Sequence, residues 1–210
     1  MSHRLGTPRL HLRSTDSTNE RARTLAHAGA PHGTLVTAGE QTAGRGRQGR
    51  TWSAPPGRAL VMSLVLRARG PLLPLEGAVA VADIAGSEAA IKWPNDVLLH
   101  GRKLSGILVE GRPQEGWAVI GIGLNVAVRP DDLPPELRDS AATLGLEPDA
   151  LEPTLDALLG REVRWQHGAG VAAGIDGDGR LLVDCHDGTR AVLDAGEVHL
   201  VGRYPPSSEA

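Results

Sequence analysis

Aromatic side chains are nearly absent from this 210-residue sequence, which contains no Phe, one Tyr and four Trp. The aliphatic residues must therefore build the core. The single cysteine, Cys185, excludes an internal disulfide, and its setting LLVDCHDG predicts a strand position rather than an activated nucleophile. No apolar run approaches the roughly 20 residues that span a bilayer, and the N-terminus shows no cleavable-signal pattern. These absences predict a soluble, cytoplasmic protein.

A strong excess of charge of one sign is also lacking, since the net charge is -3 and the isoelectric point is near 6.2. Such a balance argues against a protein whose whole surface binds nucleic acid or an acidic membrane. The eight His residues show no metal-ligand spacing such as HExxH, so a zinc site is not expected. The length suits one sizeable domain with room for a small second one.

Lysine is scarce, because only Lys92 and Lys103 occur and the other 20 of the 22 basic residues are Arg. Both lysines lie in the run IKWPNDVLLHGRKLSG. A compact ammonium differs chemically from a planar guanidinium, so this placement indicates a local requirement for Lys, with chance clustering as the alternative. The Arg/Gly loop GRGRQGRTW (residues 44–52) lies upstream, and GIGLNV lies downstream. We expect these three segments to form one active site.

Hydrophobic patterning predicts an α+β chain. Strands are expected in RLHL, LVTAGEQ, ALVMSLVLRA, GWAVIGIGLNVAV and DVLLHGRKLSGILVEG, the last dividing in two at His100 to Arg102. Helices are expected after a cap at Ser17 or Thr18, in PLEGAVAVADIAG and in LEPDALEPTLDALLG, with a short helical piece in RPDDLPPELRDS. From about Arg161, short strands separated by GAG, DGDG, HDG and AGE predict a small β-barrel or sandwich.

Over most of its length the chain resembles the biotin protein ligases. The motifs that carry the resemblance are DSTNERA (16–22), GEQTAGRGRQGRTW (39–52), KWPNDV (92–97), GRKLSGILVE (101–110) and GIGLNV (121–126). The resemblance implies a catalytic domain related to class II aminoacyl-tRNA synthetases, a mixed sheet with helices, at residues 1–158. It also implies an SH3-like barrel at residues 159–204 and a disordered tail at residues 205–210.

The resemblance further implies an activity. Biotin and ATP, with Mg²⁺, form biotinyl-5′-adenylate and pyrophosphate, and a lysine of a biotin carboxyl carrier protein domain in a carboxylase then takes the biotinyl group. The protein would be a ligase that forms a C–N bond, a monomer or weak homodimer without a membrane partner. No winged-helix segment precedes the catalytic sequence, which begins by about Arg9, so no DNA binding is expected.

Joining a carboxylate to the α-phosphate of ATP brings two anions together, which requires nearby cations. The Arg/Gly loop offers forked donors from Arg45, Arg47 and Arg50. Its glycines leave the backbone free to fold around phosphate; they are Gly44, Gly46 and Gly49. We expect the loop to order when substrate binds and to keep water from the intermediate. A solvated turn or an RNA-binding Arg/Gly box are the alternatives.

Lys103 is the predicted central cation, which by the resemblance contacts the biotin carboxylate and the α-phosphate; an exposed hairpin Lys is the alternative. Asp96 follows a proline-fixed bend and is predicted to help hold Mg²⁺, with plain turn chemistry as the alternative. Lys92 suits a structural role and a phosphate-binding role equally. Together with Arg45 and Arg47, Lys103 and Asp96 make up the predicted catalytic set.

The resemblance assigns further residues to the two substrates. The biotin set is Ser17, Thr18, Asn19, Gln41, Gly44, Arg45, Arg47, Lys103, Gly106 and Ile107. The nucleotide set is Arg47, Arg50, Trp52, Lys92, Asn95 and Asn125. Trp52 offers a flat face for adenine, with core packing as the alternative. Helix capping is the competing role for Ser17 and Thr18.

Two segments look shorter than the family pattern: the helix between Leu75 and the KWPND motif, and the stretch from Leu144 to Arg161. This shortening bears on domain docking more than on motif chemistry. Three other functions stay open: a lipoate or octanoate ligase or transferase of the same superfamily, a non-catalytic biotin-binding relative, and an RNA-binding protein. Competition between biotin and lipoate, ATP turnover and salt-dependent RNA binding distinguish them.

Overall fold

Two compact units, Met1–Asp156 and Ala157–Ala210, make up the computed structural model. It describes residues 5–67, 72–152, 154, 162–165, 168–175, 181–185, 187–193 and 198–200. The tail predicted at residues 205–210 lies outside this described part. Within it, no helix is long and apolar enough to cross a membrane.

A seven-stranded sheet forms the first unit, with the order β1-β2-β3-β7-β6-β5-β4. Its strands are β1 Arg9–Leu12, β2 Leu35–Ala38, β3 Ala59–Leu66, β4 Ala89–Lys92, β5 Asp96–Leu99, β6 Arg102–Arg112 and β7 Trp117–Asn125. The α-helices are α1 Thr18–His27, α2 Leu73–Ala85 and α3 Pro135–Arg138. Single 3-10 turns occupy Arg47–Gly49, Pro113–Glu115, Pro130–Asp132 and Pro148–Ala150. The pair β1–β2 is parallel and the other described pairs are antiparallel, so the predicted mixed sheet with helices is confirmed.

Apolar strands form the centre of this sheet. Every residue of β3 is buried, and β7 lies between β3 and β6 with eight paired residues on each side. The helix α1 packs on β3, and all eight residues of the strand are buried, so ALVMSLVL is a nearly continuous apolar run rather than an alternating one.

The helices α1 and α2 pack on opposite faces of the sheet. Successive residues of a strand point to opposite faces, and α2 meets Ile120 of β7 whereas α1 meets Gly121. A Cβ added to Gly77 of α2 would lie 2.7 Å from Ile120 Cδ1. A Cβ added to Gly121 would overlap the amide oxygen of Asn19 at the start of α1. Glycine at both contacts therefore lets each helix approach the sheet closely.

The hairpin between β5 and β6 turns at His100 and Gly101, whose φ angles are 50° and 75°. Two consecutive residues with positive φ make the two-residue turn that matches the twist of paired strands. The predicted division of this segment into two strands is confirmed.

The second unit contains a five-stranded antiparallel sheet with the order β11-β10-β9-β8-β12. Its strands are β8 Glu162–Trp165, β9 Gly168–Ile175, β10 Leu181–Cys185, β11 Arg190–Leu193 and β12 Val198–Leu200. The predicted series of short strands after Arg161 is confirmed, and Cys185 ends one of them. The helix predicted in LEPDALEPTLDALLG begins as the turn Pro148–Ala150, and most of its remainder lies outside the described residues.

A polar cluster surrounds Glu115 at the turn before β7. Its carboxylate accepts hydrogen bonds from Arg112 Nη1 at 2.8 Å, Trp117 Nε1 at 2.9 Å and His27 Nδ1 at 3.2 Å. These donors, Arg112 first, lower the pKa of Glu115 from 4.5 to about 2. The ionised form of Glu115 is therefore favoured in the folded chain.

We expect the stability difference between the native chain and a Glu115→Gln variant to depend on acid pH. A carboxyl group whose pKa is depressed on folding stabilises the fold above its unfolded value and loses that contribution as pH falls through the folded value. The native chain should therefore lose its advantage between pH 4.5 and about 2. Thermal unfolding of both proteins from pH 6 to pH 2 measures this, and a Tm difference independent of pH would contradict it.

Candidate active site

A cavity of about 190 Å³ opens on the α1 face of the seven-stranded sheet. Thirteen of the residues that the sequence assigned to substrates line it: Ser17, Thr18, Asn19, Gln41, Arg45, Arg47, Arg50, Trp52, Asn95, Asp96, Lys103, Gly106 and Ile107. Eight further residues complete the lining: Gly46, Gln48, Thr51, Met62, Leu108, Gly121, Ile122 and Gly123. The sheet thus brings together segments from all five motifs that carry the resemblance.

Glycines on β6 and β7 form the floor of the cavity. A Cβ added to Gly123 would lie 2.5 Å from Trp52 Cε2, closer than any side chain tolerates. At Gly106 the added Cβ would meet the Trp52 ring at 3.4 Å and Lys103 Nζ at 3.5 Å, which are near-ordinary contacts. The absence of side chains at these positions lets Trp52 lie against the sheet.

Hydroxyl and amide groups form the polar end of the cavity, at the start of α1. The Thr18 backbone N–H and hydroxyl both donate to Gln41 Oε1, at 2.8 and 3.1 Å. The first residues of a helix have N–H groups without intrahelical partners, and Gln41 satisfies one of them. Ser17 occupies the N-cap position without a side-chain capping bond, so the capping role weighed for its hydroxyl is not seen.

Asp16 precedes this helix and fixes the chain that enters it. Its carboxylate accepts the Ser17 N–H at 2.7 Å and the Thr15 hydroxyl at 2.9 Å. These two bonds hold the pKa of Asp16 below its ordinary value, the Ser17 N–H contributing most. An ionised Asp16 therefore fixes the backbone of Ser17 at the start of α1.

A buried serine on β3 joins Thr18 and Asn19 of α1. Ser63 Oγ lies 2.9 Å from Thr18 Oγ1 and 2.7 Å from Asn19 Oδ1. The Asn19 amide nitrogen donates to Glu110 Oε2 at 2.9 Å and to the Leu108 carbonyl at 3.3 Å. The amide of Asn19 is thus fixed on both of its ends.

The Arg/Gly loop folds back on itself beside the cavity. Gly46 N–H donates to the Arg50 carbonyl at 2.7 Å, and Trp52 N–H donates to the Gly44 carbonyl at 3.0 Å. Outside the loop, Arg45 pairs with Glu20 and Glu110, each at 2.8 Å. The structure therefore gives the loop polar anchors that the sequence did not indicate.

The cationic end of the cavity lies where β5 meets β6. Lys103 Nζ lies 2.9 Å from Asp96 Oδ1, and Arg47 Nη1 donates to Asn95 Oδ1 at 2.7 Å. The Asn95 amide nitrogen donates in turn to the Ile107 carbonyl at 3.0 Å. Four residues of the predicted catalytic and nucleotide sets therefore form two contacting pairs: Lys103 with Asp96, and Arg47 with Asn95.

A β-bulge directs Lys103 into the cavity. The register shifts between Val97 and Leu98, so that Leu98 is paired with Lys103 rather than with Leu104. Paired residues share a face and alternate residues on a strand share a face, so Lys103 falls on the same side as Asp96. Without the bulge the Lys103 side chain would lie on the opposite face of the sheet from the cavity.

Trp52 has an unusual polar environment. Among the described residues, its Nε1 is a buried side-chain atom without a hydrogen-bond partner. A buried N–H that finds no acceptor costs free energy, on the order of 1 to 3 kcal/mol. The position of Trp52 on the cavity lining means that a bound molecule with an oxygen or nitrogen acceptor could satisfy it.

Three predicted residues do not line the cavity: Gly44, Lys92 and Asn125. Gly44 is buried behind Trp52, and an added Cβ would overlap the Trp52 carbonyl oxygen. Lys92 is exposed at the end of β4 and is paired in register with Asp96. Their substrate roles stay predictions.

Asn125 has a structural partner instead of an open position. It is 5% exposed, and its Nδ2 donates to the Ala142 carbonyl at 2.9 Å. Residues 140–142 also bind the backbone of Lys103. The Lys103 N–H donates to the Ser140 carbonyl and the Lys103 carbonyl accepts from the Ala142 N–H, each at 2.7 Å. Asn125 therefore helps to hold the segment that fixes Lys103.

The polar residues that the sequence analysis missed are Ser63, Glu20 and Glu110. Ser63 is the polar residue in the apolar run ALVMSLVL, a pattern that could have marked it. Glu110 ends the motif GRKLSGILVE, but nothing in the local sequence shows that Arg45 and Asn19 meet it. Contacts of this kind depend on strand register.

Two family models match the chain. The Biotin/lipoate A/B protein ligase family matches residues 11–126, and the Biotin protein ligase C terminal domain matches residues 158–201. The first covers the cavity and the second covers the five-stranded sheet.

Three known proteins extend this similarity. The bifunctional ligase/repressor BirA of Bacillus subtilis is 37% identical over 227 residues, covering 85% of this chain and 70% of its own. The biotin--[acetyl-CoA-carboxylase] ligase of Mycobacterium tuberculosis is 32% identical, covering 88% and 85%. The structure of biotin protein ligase from Aquifex aeolicus in complex with biotin and ATP superposes with a TM-score of 0.60 at 26% identity, covering 92% and 98%.

The mixed sheet and its glycine-floored cavity thus define a protein of the class that contains biotin and lipoate ligases. This chain belongs to the Biotin/lipoate A/B protein ligase family, in its biotin protein ligase branch.

Proposed function

We propose that the cavity activates biotin with ATP and then transfers the biotinyl group to a lysine of a carrier domain. In the first step a biotin carboxylate oxygen attacks the α-phosphorus, and the bond to pyrophosphate breaks. In the second, the carrier amine attacks the acyl carbon and AMP leaves. The observation that carries this proposal is Lys103, whose ammonium lies 2.9 Å from Asp96 in a cavity that Arg45, Arg47 and Arg50 also line.

The polar end of the cavity suits the ureido ring of biotin. Amide and hydroxyl groups of Thr18, Asn19 and Gln41 meet there, and the described network leaves them fixed in orientation. Small-ligand sites commonly combine a few oriented polar groups with apolar contacts. Leu108 and the glycine floor supply the apolar surface for the thiophene ring and the valeryl chain, whereas the Ile107 side chain packs towards Gly77 of α2 on the other face of the sheet.

The cationic end suits the carboxylate and the α-phosphate. Lys103 and Arg47 are paired with Asp96 and Asn95, and substrate anions would take over these cations. A point charge on a flexible stem can follow an oxygen as its bonds change, whereas Arg47 can donate two parallel hydrogen bonds. Trp52 would offer its ring to adenine, and its unpartnered Nε1 would find an acceptor in the bound substrates.

Mg²⁺ is the metal that ATP chemistry implies, and Asp96 fits as one of its ligands. Mg²⁺ in nucleotide sites is held by one or two carboxylates together with phosphate oxygens and water. Among the described residues, no group of three or more His, Cys, Asp and Glu side chains could hold a metal alone. Asp96 would therefore bind the ion only together with ATP, whose phosphate charge the ion would offset.

Finer features of the fold and setting belong to the same proposal. The five-stranded antiparallel sheet at the C-terminal end supports an SH3-like barrel, and the mixed sheet with flanking helices supports kinship with class II aminoacyl-tRNA synthetases. A biotin carboxyl carrier protein domain is the acceptor that the family similarity favours. The cytoplasm, which contains ATP, is the expected compartment.

Biotin-dependent exchange of labelled pyrophosphate into ATP tests the first step without knowledge of the acceptor. We expect exchange with biotin and none with lipoate or without an added acid. Exchange with lipoate alone would replace the proposal with a lipoate ligase. Biotin binding by calorimetry without any exchange would indicate a binding protein that lacks catalysis.

A further inference from the structure

Two carboxylates hold Arg45 of the Arg/Gly loop. Its Nη1 donates to Glu20 Oε2 and its Nη2 donates to Glu110 Oε1, each at 2.8 Å. Glu20 belongs to α1 and Glu110 to β6. One side chain of the loop is thus tied to a helix and to the sheet.

The two carboxylates differ in burial, because the Glu110 side chain is 19% exposed and the Glu20 side chain is 43% exposed. Water and salt weaken exposed ion pairs, whereas charge-assisted hydrogen bonds in a sheltered position are stronger. Glu110 is therefore the stronger anchor for Arg45.

Glu110 also reaches the polar end of the cavity. Its second oxygen, Oε2, accepts from Asn19 Nδ2 at 2.9 Å. Asn19 is 4% exposed, lines the cavity, and is held from its other end by Ser63 Oγ at 2.7 Å. A single carboxylate outside the cavity lining thus joins the polar end to the loop.

We propose that Glu110 is a positioning residue that holds the Arg/Gly loop over the activated intermediate. It acts through Arg45 on one oxygen and through Asn19 on the other. This inference rests on the proposed function and adds to it a determinant of how long biotinyl-5′-adenylate is retained before the carrier lysine takes the biotinyl group. A loop held by fixed groups excludes water from a reactive anhydride better than a loop that opens freely.

Glu110→Gln is the variant that tests this role, because it keeps the shape and an acceptor for Asn19 but removes the charge that binds Arg45. We expect preformed biotinyl-adenylate to be released about tenfold faster, with biotin Kd changed by less than about threefold. Loading the enzyme with labelled biotin and ATP, desalting it, and following release without an acceptor measures the first quantity. Calorimetry measures the second.

Arg23→Gln is the matched control. Arg23 Nη1 lies 3.4 Å from the same Glu110 oxygen and 3.0 Å from Glu20 Oε2, so it shares both carboxylates with Arg45. It belongs to α1 and has no contact with the loop itself among the described hydrogen bonds. Release from this variant should stay within about twofold of the native rate. An equal acceleration in Arg23→Gln would show that any loss of charge near Glu110 has the effect, and would overturn the proposal.

Arg45→Gln completes a double-mutant cycle with Glu110→Gln. It also replaces Glu110→Gln if that variant fails to fold, because the Arg45 side chain is 41% exposed and its loss should disturb the fold less. We expect it to accelerate release as Glu110→Gln does, and the double variant to be no faster than Arg45→Gln alone. Additive effects, unchanged release, or a biotin Kd of Glu110→Gln that weakens in step with its release would each overturn the positioning role. If the native chain formed no adenylate at all, the proposed function would fail together with this inference.

Discussion

Replacing Lys103 by Ala should lower biotin-dependent pyrophosphate exchange by about 100-fold to 1,000-fold, the loss typical of removing one group that stabilises transition-state charge. The ammonium lies on the cavity face beside Asp96, where the carboxylate and α-phosphate would meet. The side chain is 41% exposed and contributes little to the core, so thermal stability should change little. Exchange at saturating biotin and ATP measures the effect, and Tm from thermal unfolding confirms that the variant is folded.

Two further variants sharpen this test. Lys103→Arg keeps the charge but replaces a compact ammonium with a planar fork, so it should not restore full exchange. Lys92→Ala removes the other lysine, which lies outside the cavity lining, and should cost far less than Lys103→Ala. Exchange within tenfold of the native rate in Lys103→Ala would remove it from the central role. An equal loss in Lys92→Ala would support the nucleotide role predicted from the sequence.

Gly123→Ala should reduce exchange at subsaturating biotin by about 100-fold, as a displacement of about 1 Å in a positioned group can do. The new Cβ would lie 2.5 Å from Trp52 Cε2, so the indole must move off the floor and into the cavity. Overpacking of this kind also costs about 1 to 3 kcal/mol of stability. Initial rates against biotin concentration measure the activity, and urea unfolding measures the stability.

Gly106→Ala is the graded control on the same floor. Its added Cβ would meet Trp52 at 3.4 Å and Lys103 Nζ at 3.5 Å, which requires little adjustment. Its effect should therefore be much smaller than that of Gly123→Ala. Equal effects from the two variants would mean that the close approach of Trp52 to Gly123 does not limit the cavity.

Much of the architecture could be predicted from local pattern. The turn at His100 and Gly101, the buried run of β3 and the helix after Ser17 all follow from short-range preferences for turns, burial and helix starts. The cavity lining was largely predicted as well, because conspicuous motifs contain Arg47, Lys103 and their neighbours. Asn125 shows where this reasoning stops, since its amide donates to the Ala142 carbonyl, a contact that its motif does not indicate.

By itself, the sequence determined which segments become strands and helices and which ones carry charge, because periodicity, turn residues and side-chain chemistry are local properties. Only the tertiary structure decided which side chains meet. Glu110 contacts residues 65 and 91 positions away, Arg45 and Asn19, and Lys103 faces Asp96 because a bulge shifts one register. Strand alternation assigns a face only once the register is known, and register depends on the packing of the whole sheet.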